Sequence, residues 1–204
     1  MRTTTVIRLV LATALLAVLA VAGGAASATD RASGPIPKGE ALQRAAESMF
    51  ADIQQASWVR DGRGAHVMYV FFDPNCPYCH KLYQELRPQV ERGEVELRWI
   101  PIGLLTTTSQ GKAAAILEAA DPSAALRRNE ENFSVETGSL GGVEEELVPR
   151  TDTLARLARN LALLRRSGLD SVPSLLFRDT RHQARFVLGA PPATKLREIV
   201  SSLE

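Results

Sequence analysis

A chain of 204 residues that is 45% hydrophobic is long enough for one domain with a sizeable core, and 24 Lys and Arg against 23 Asp and Glu leave a formal charge of +1. A near-neutral balance with no basic cluster gives no footing for nucleic-acid binding. Cys76 and Cys79 are the whole thiol content, which excludes a permanent structural disulfide framework beside them.

The first 28 residues have the three-part pattern of a secretory signal peptide. Arg2 and Arg8 precede the apolar stretch Leu9 to Ala22, and Ala26-Ser27-Ala28 supplies a small-x-small cleavage site. The apolar run is shorter than the roughly 20 residues that span a bilayer, so cleavage after Ala28 is expected rather than anchoring. Loss of Arg2 and Arg8 turns the formal charge from +1 to −1. Thr29 to Gly39, rich in Ser, Gly and Pro, reads as a flexible leader, and the domain is expected over 40–204.

Ala41, Leu42, Ala45, Met49, Ile53 and Ala56 recur at helical spacing and predict an amphipathic helix over 40–57. Asp61-Gly62-Arg63-Gly64 turns the chain. Ala65 to Phe72 is continuously apolar, the pattern of a strand buried on both faces. Tyr78, Leu82, Leu86 and Val90 then mark a helix from Pro77 to Gly93, with Pro88 as an expected kink. Val95 to Ile102 is a second strand, so the three elements form a βαβ unit with parallel strands.

Ser109 to Ala120, Pro122 to about Asn132, and Thr151 or Asp152 to Ser167 read as helices, forming an insertion over about 108–168. Ser134 to Pro149 between them reads as a Gly- and Glu-rich loop. Ser174 to Phe177 and Ala184 to Leu188 form a hairpin, and Pro192 to Leu203 closes the chain as a helix.

The order βαβ, helical insertion, ββα, with Cys76-Pro77-Tyr78-Cys79 at the first strand-to-helix junction, resembles the thioredoxin fold, an α/β architecture. Trp58, Asp61-Gly62, Tyr69-Val70-Phe71-Phe72-Asp73-Pro74-Asn75-Cys76-Pro77-Tyr78-Cys79 and Leu86-Arg87-Pro88 are similar to the catalytic domain of the periplasmic disulfide isomerases DsbG and DsbC. Ala113-Ala114-Ala115-Ile116-Leu117, Asp121-Pro122 and Val172-Pro173 extend the likeness, which runs from about Met49 to the C-terminus. It implies a periplasmic thiol–disulfide oxidoreductase that reduces or isomerises protein disulfides, with thiol- or disulfide-bearing proteins as substrates and a DsbD-like membrane reductant as partner. A DsbA-like oxidase with a DsbB-like partner is the alternative direction of the same chemistry. Only Thr29 to Gly64 precedes the first core strand, so the N-terminal dimerisation domain of DsbG and DsbC is expected to be missing and the chain to be monomeric.

The motif's chemistry follows from its place in the chain. A thiolate is the attacking species, and a sulfur at the first turn of a helix is stabilised by unpaired N–H groups and the positive end of the macrodipole. Cys76 is therefore the expected nucleophile, nearer the surface, and Cys79, one turn in, the buried resolving thiol. Pro77 pre-sets the helical φ and removes a donor that would be orphaned; Tyr78 and His80 are expected to tune access and redox poise. By the resemblance, Pro173 takes the place of the thioredoxin-fold cis-proline, with Val172 contacting substrate where DsbG and DsbC carry threonine and DsbA is closer to valine. The buried aspartate that thioredoxin has six positions before its first cysteine is Val70 here, and Asp73 reads as part of a turn.

Three other readings attach to the same residues. Cys76-Pro77-Tyr78-Cys79-His80 satisfies the pattern for covalent haem attachment, with His182 in place of a downstream Met as axial ligand. Zinc would have only His66, His80 and His182 to join the thiols, without a recognised ligand spacing; neither metal nor cofactor is expected. A non-catalytic chaperone module would need only an apolar surface around the dithiol.

Overall fold

His66–Phe72 (β2) is the middle strand of a five-stranded sheet, and its unbroken apolar run has a direct cause: both faces are covered. Met68, Val70 and Phe72 point into one core with Leu82, Leu86, Trp99 and Leu196, while Tyr69 and Phe71 point into another with Met49, Ile53, Ile100, Leu163 and Leu176. The computed structural model describes residues 36–204; the expected signal peptide and most of the leader lie outside them.

The first described helix, Gly39–Asp52 (α1), runs into a 3₁₀ turn, Ile53–Gln55, so the expected 40–57 helix begins one residue earlier and tightens before its end. A short strand, Val59–Asp61 (β1), follows, and then β2. Pro77–Glu91 (α2) and Val95–Pro101 (β3) complete the βαβ unit, with β3 parallel to β2 in the register His66↔Val95 to Phe72↔Pro101. Ser109–Glu118 (α3), Pro122–Glu131 (α4) and Thr151–Arg166 (α5) come next, then the hairpin Ser174–Arg178 (β4) and Ala184–Leu188 (β5), and last Ala193–Ser201 (α6). The sheet order is β1-β3-β2-β4-β5, with every pairing other than β2–β3 antiparallel.

β1 has no counterpart in the sequence reading, because three residues are too few to show a period of two. Its position is set by a side-chain clamp. Asp61 takes both guanidinium nitrogens of Arg87 from α2 and the indole N–H of Trp99 from β3, the last at 3.1 Å. The turn into β2 needs glycine at two positions: Gly62 has φ +83°, and a Cβ on Gly64 would stand 2.2 Å from the Val95 amide nitrogen.

α2 runs on through Pro88, as expected of a helix ending at Gly93, and the Gln84 carbonyl that Pro88 leaves without its helical donor belongs to an exposed residue, where water can replace it. The 134–149 segment is a loop, as expected, and it is tied down by backbone hydrogen bonds. Gly142 N–H donates to the Asn129 carbonyl, Glu146 N–H donates to that of Gly111, and Ser134 and Leu140 form a two-residue bridge. Among the described residues, no helix is long and apolar enough to cross a membrane.

Candidate active site

The carboxyl end of β2 delivers the chain into Asp73-Pro74-Asn75 and then into Cys76, the N-cap of α2. Asp73 is wholly buried and holds this corner. Its Oδ1 accepts from Asn75 N–H at 2.9 Å and Ser109 Oγ–H at 2.7 Å, and its Oδ2 from the Leu104 and Leu105 amides at 2.8 and 3.0 Å. Its turn role is thus larger than the sequence suggested, joining the β2–α2 corner to the β3–α3 loop.

Asn75 carries the scaffold one step further. Its amide donates to Thr106, Thr108 and Ser109, and its Oδ1 accepts Gly141 N–H at 3.2 Å. The close approach depends on glycine, since a Cβ on Gly141 would lie 2.3 Å from the Pro74 carbonyl oxygen. Lys112, a buried cation, donates to the Ser139 and Gly141 carbonyls at 2.6 Å each and pins the same loop from α3.

Cys76 stands with φ −85° and ψ 115°, extended geometry suited to an N-cap, and its Sγ accepts Cys79 N–H at 3.4 Å. Pro77 follows at the first helical position, where a missing N–H costs nothing. The Cys76 pKa is lowered from the ordinary thiol value. A hydrogen bond from the Cys79 thiol is the largest cause, with the Cys79 and Tyr78 amides assisting and burial and the Asp73 charge opposing. Cys79 is pushed the other way, well above the ordinary value, first by burial and then by Cys76 as hydrogen-bond partner and charge. Both thiols are free.

Cys76 is the less buried of the two sulfurs, the expected order, but only narrowly: it is 3% exposed, against 0% for Cys79. The strand-entry loop before β4 covers it: the Val172 carbonyl lies 3.8 Å from Cys76 Sγ, and Val172 packs against both cores. The Val172–Pro173 peptide bond is cis, so the loop and the dithiol named from the sequence come together. Tyr78, 67% exposed, stands at the rim.

His80 does not face Cys76. Its ring stacks on Phe133 with centroids 4.6 Å apart and planes 11° from parallel, and its Nδ1 lies 3.4 Å from Oε2 of Glu130. Glu130 is buried on α4, and sequence reasoning missed it, as it missed Asn75, Ser109, Lys112 and Asn129. Arg127-Arg128-Asn129-Glu130-Glu131 reads as a solvated face, and no signal in the chain marks two of its members as buried.

The haem arrangement does not fit these residues. His80 is held by Phe133 and Glu130, and His182 lies in the β4–β5 turn, paired with Glu204 at 2.9 Å. Because β4 runs antiparallel to β2 with Met68 opposite Phe177, that turn is at the end of the sheet remote from the dithiol. His66, at the start of β2, is at the same remote end, with its ring bonded to the Glu204 carbonyl. The three histidines are therefore not gathered around the thiols, and among the described residues no cluster of three His, Cys, Asp or Glu has metal-binding geometry.

The thioredoxin-like domain family matches residues 53–204. The chain is 32% identical over 161 residues to thiol:disulfide interchange protein DsbG of Pseudomonas aeruginosa, covering 76% of this chain and 59% of that protein. It is 29% identical over 163 residues to the DsbG of Escherichia coli, covering 78% and 62%. The chain thus spans about three-fifths of the length of these curated relatives. Among solved structures, the catalytic domain of Proteus mirabilis ScsC aligns with a TM-score of 0.60 at 22% identity, covering 78% of this chain and 97% of that one.

Proposed function

Because the chain belongs to the thioredoxin-like domain family, we propose that it is a thiol–disulfide oxidoreductase, working through Cys76 and Cys79 as a disulfide reductase or isomerase of the DsbG kind. One observation carries the reading most: two thiols one helical turn apart have opposite tendencies, with Cys76 held toward thiolate at the N-cap and Cys79 held toward thiol in the core. The split separates an attacking sulfur from a resolving one.

The Cys76 thiolate attacks one sulfur of a substrate disulfide. A Cys76–substrate bond forms, the substrate S–S bond breaks, and the second substrate sulfur leaves as thiolate. Cys79 then attacks Cys76, closing the internal disulfide and releasing the first substrate sulfur, so the substrate gains the two electrons that the dithiol loses. In isomerisation a substrate thiol displaces Cys76 instead, and no net electron flow occurs. Leu105 and Tyr78, exposed apolar side chains beside the motif, and the Val172 backbone supply the surface for an extended substrate segment.

The signal-peptide pattern and the DsbG relatives support a periplasmic location, and the same proposal includes protein substrates, a DsbD-type reducing partner and a monomeric state. The direction of flow turns on small energies, since about 30 mV corresponds to ~1.4 kcal/mol. The test is single-turnover reduction of a peptide with one accessible disulfide by the reduced protein. Cys76→Ser should abolish it, and a chaperone module would keep its activity in that variant. A wild-type dithiol that leaves the peptide oxidised refutes the reading.

A further inference from the structure

Ser134 and Leu140 close a small hairpin that the exchange chemistry above leaves unused. Each donates its N–H to the other's carbonyl at 2.9 Å, and the turn between them is ordered from inside, with Gly138 N–H donating to the Val135 carbonyl and Thr137 N–H to Ser134 Oγ. Surface turns are ordinarily mobile. This one is fastened at its base to the chain on both sides of the dithiol. Gly141 N–H reaches Oδ1 of Asn75, the residue before Cys76, and the Phe133 ring stacks on His80, the residue after Cys79. From α3, the buried Lys112 ammonium holds the carbonyls of Ser139 and Gly141.

The hairpin is costly to hold and stabilises no core of its own. Leu140 has φ +55°, left-handed backbone that an L side chain adopts only against steric resistance, and such strain collects at functional sites. Residues 135–139 are all exposed, and Val135 is left 63% exposed. A buried cation and a strained leucine therefore keep an open valine at a fixed place beside the motif.

A substrate joined to Cys76 through a mixed disulfide must lay the residues that flank its own cysteine across the surroundings of the motif. Val135 follows Phe133 by two residues, at most about 7 Å of chain. His80, on which Phe133 stacks, follows Cys76 by about one helical turn, some 6 Å along the axis. Four residues of an extended substrate span about 14 Å and reach this neighbourhood. We propose that Val135 is a specificity-determining residue of the exchange site: it receives an apolar side chain of the substrate within about four residues of the reacting cysteine, and Lys112 is the positioning residue that holds it there. The inference rests on the exchange function proposed above.

The probe is a peptide whose single cysteine carries a 2-thiopyridyl group. The Cys76 thiolate attacks the peptide sulfur, a Cys76–peptide bond forms, the bond to the pyridyl sulfur breaks, and the absorbing thiopyridine leaves with the electron pair. Dipyridyl disulfide gives the same leaving group and carries no flanking residues, so the ratio of the two second-order rates separates the flanks from the reactivity of the thiol itself. By that ratio, the wild-type protein should prefer a peptide with leucines three and four residues on either side of its cysteine over its serine counterpart. Val135→Asn should cut the preference about 5-fold, the worth of one aliphatic contact of this size, and Lys112→Met should cut it by releasing the hairpin. No leucine preference in the wild type, or an unchanged preference in either folded variant, overturns the inference alone. A wild-type protein that forms a mixed disulfide with neither reagent overturns the proposed function, and this contact with it.

Discussion

Replacing Asp73 by asparagine tests whether one buried carboxylate holds the corner on which the dithiol is mounted. Four donors converge on it: Asn75 N–H and Ser109 Oγ–H on one oxygen, and the amides of Leu104 and Leu105 on the other. Asparagine keeps one acceptor oxygen and turns an NH₂ group toward the other pair of donors. Leu105 is exposed and Leu104 half-buried, so water can relieve their amides, but Asn75 and Ser109 are buried. With hydrogen bonds to a charged group worth about 1.5–3 kcal/mol each, the loss should be about 3 kcal/mol. For a domain of this size, that is a fall in Tm of about 6–12 °C. Denaturant and thermal unfolding of the reduced protein measure it. A second readout has a definite sign: the Asp73 charge raises the Cys76 pKa, so its removal should lower it, as seen by alkylation rate against pH. A variant of wild-type stability, or one in which the Cys76 pKa rises, would refute the account of this corner.

Alkylation of the wild-type dithiol should modify Cys76 at pH values below the ordinary thiol range while Cys79 stays protected in the native state, as mass spectrometry of quenched samples would show; faster labelling of Cys79 would reverse the roles. Asp61→Ala removes the acceptor of Arg87 and of the Trp99 indole, and a loss of about 2–4 kcal/mol is expected by urea unfolding, because it strands a buried donor beside a partly buried guanidinium. Val172→Thr places a hydroxyl in the segment whose carbonyl lies 3.8 Å from Cys76 Sγ. If it donates to the thiolate it stabilises the reduced form, and the redox potential, measured against glutathione, should rise by about 30 mV; an unchanged potential removes any tuning role for this side chain.

Local chemistry made much of this protein legible in one dimension. A strand covered on both faces must be apolar at every position, so β2 announced itself, and helical spacing with Gly and Pro punctuation fixed α1 to α6 to within a few residues. The dithiol was equally plain, since its two sulfurs are neighbours in sequence and their inequality follows from one turn of helix. The carbonyl that approaches Cys76 Sγ, however, comes from Val172, 96 positions away, a neighbour that the motif by itself does not name. β1 was invisible because it is held by the Asp61–Arg87–Trp99 clamp rather than by its own three residues.

The polar groups behind the motif show the limit most clearly. Asp73 and Asn75 adjoin the cysteines, but their partners Ser109 and Gly141 come from other parts of the chain, as do Lys112 and Glu130 around the same site. Hydrophobic periodicity records which face of a helix is dry. It carries no mark of a charged residue that is dry only because another helix covers it. Sequence alone therefore determined four of the five strands, the helices and the place of the dithiol; only the packing of α3 and α4 against the active-site corner decided which acids and amides surround those sulfurs.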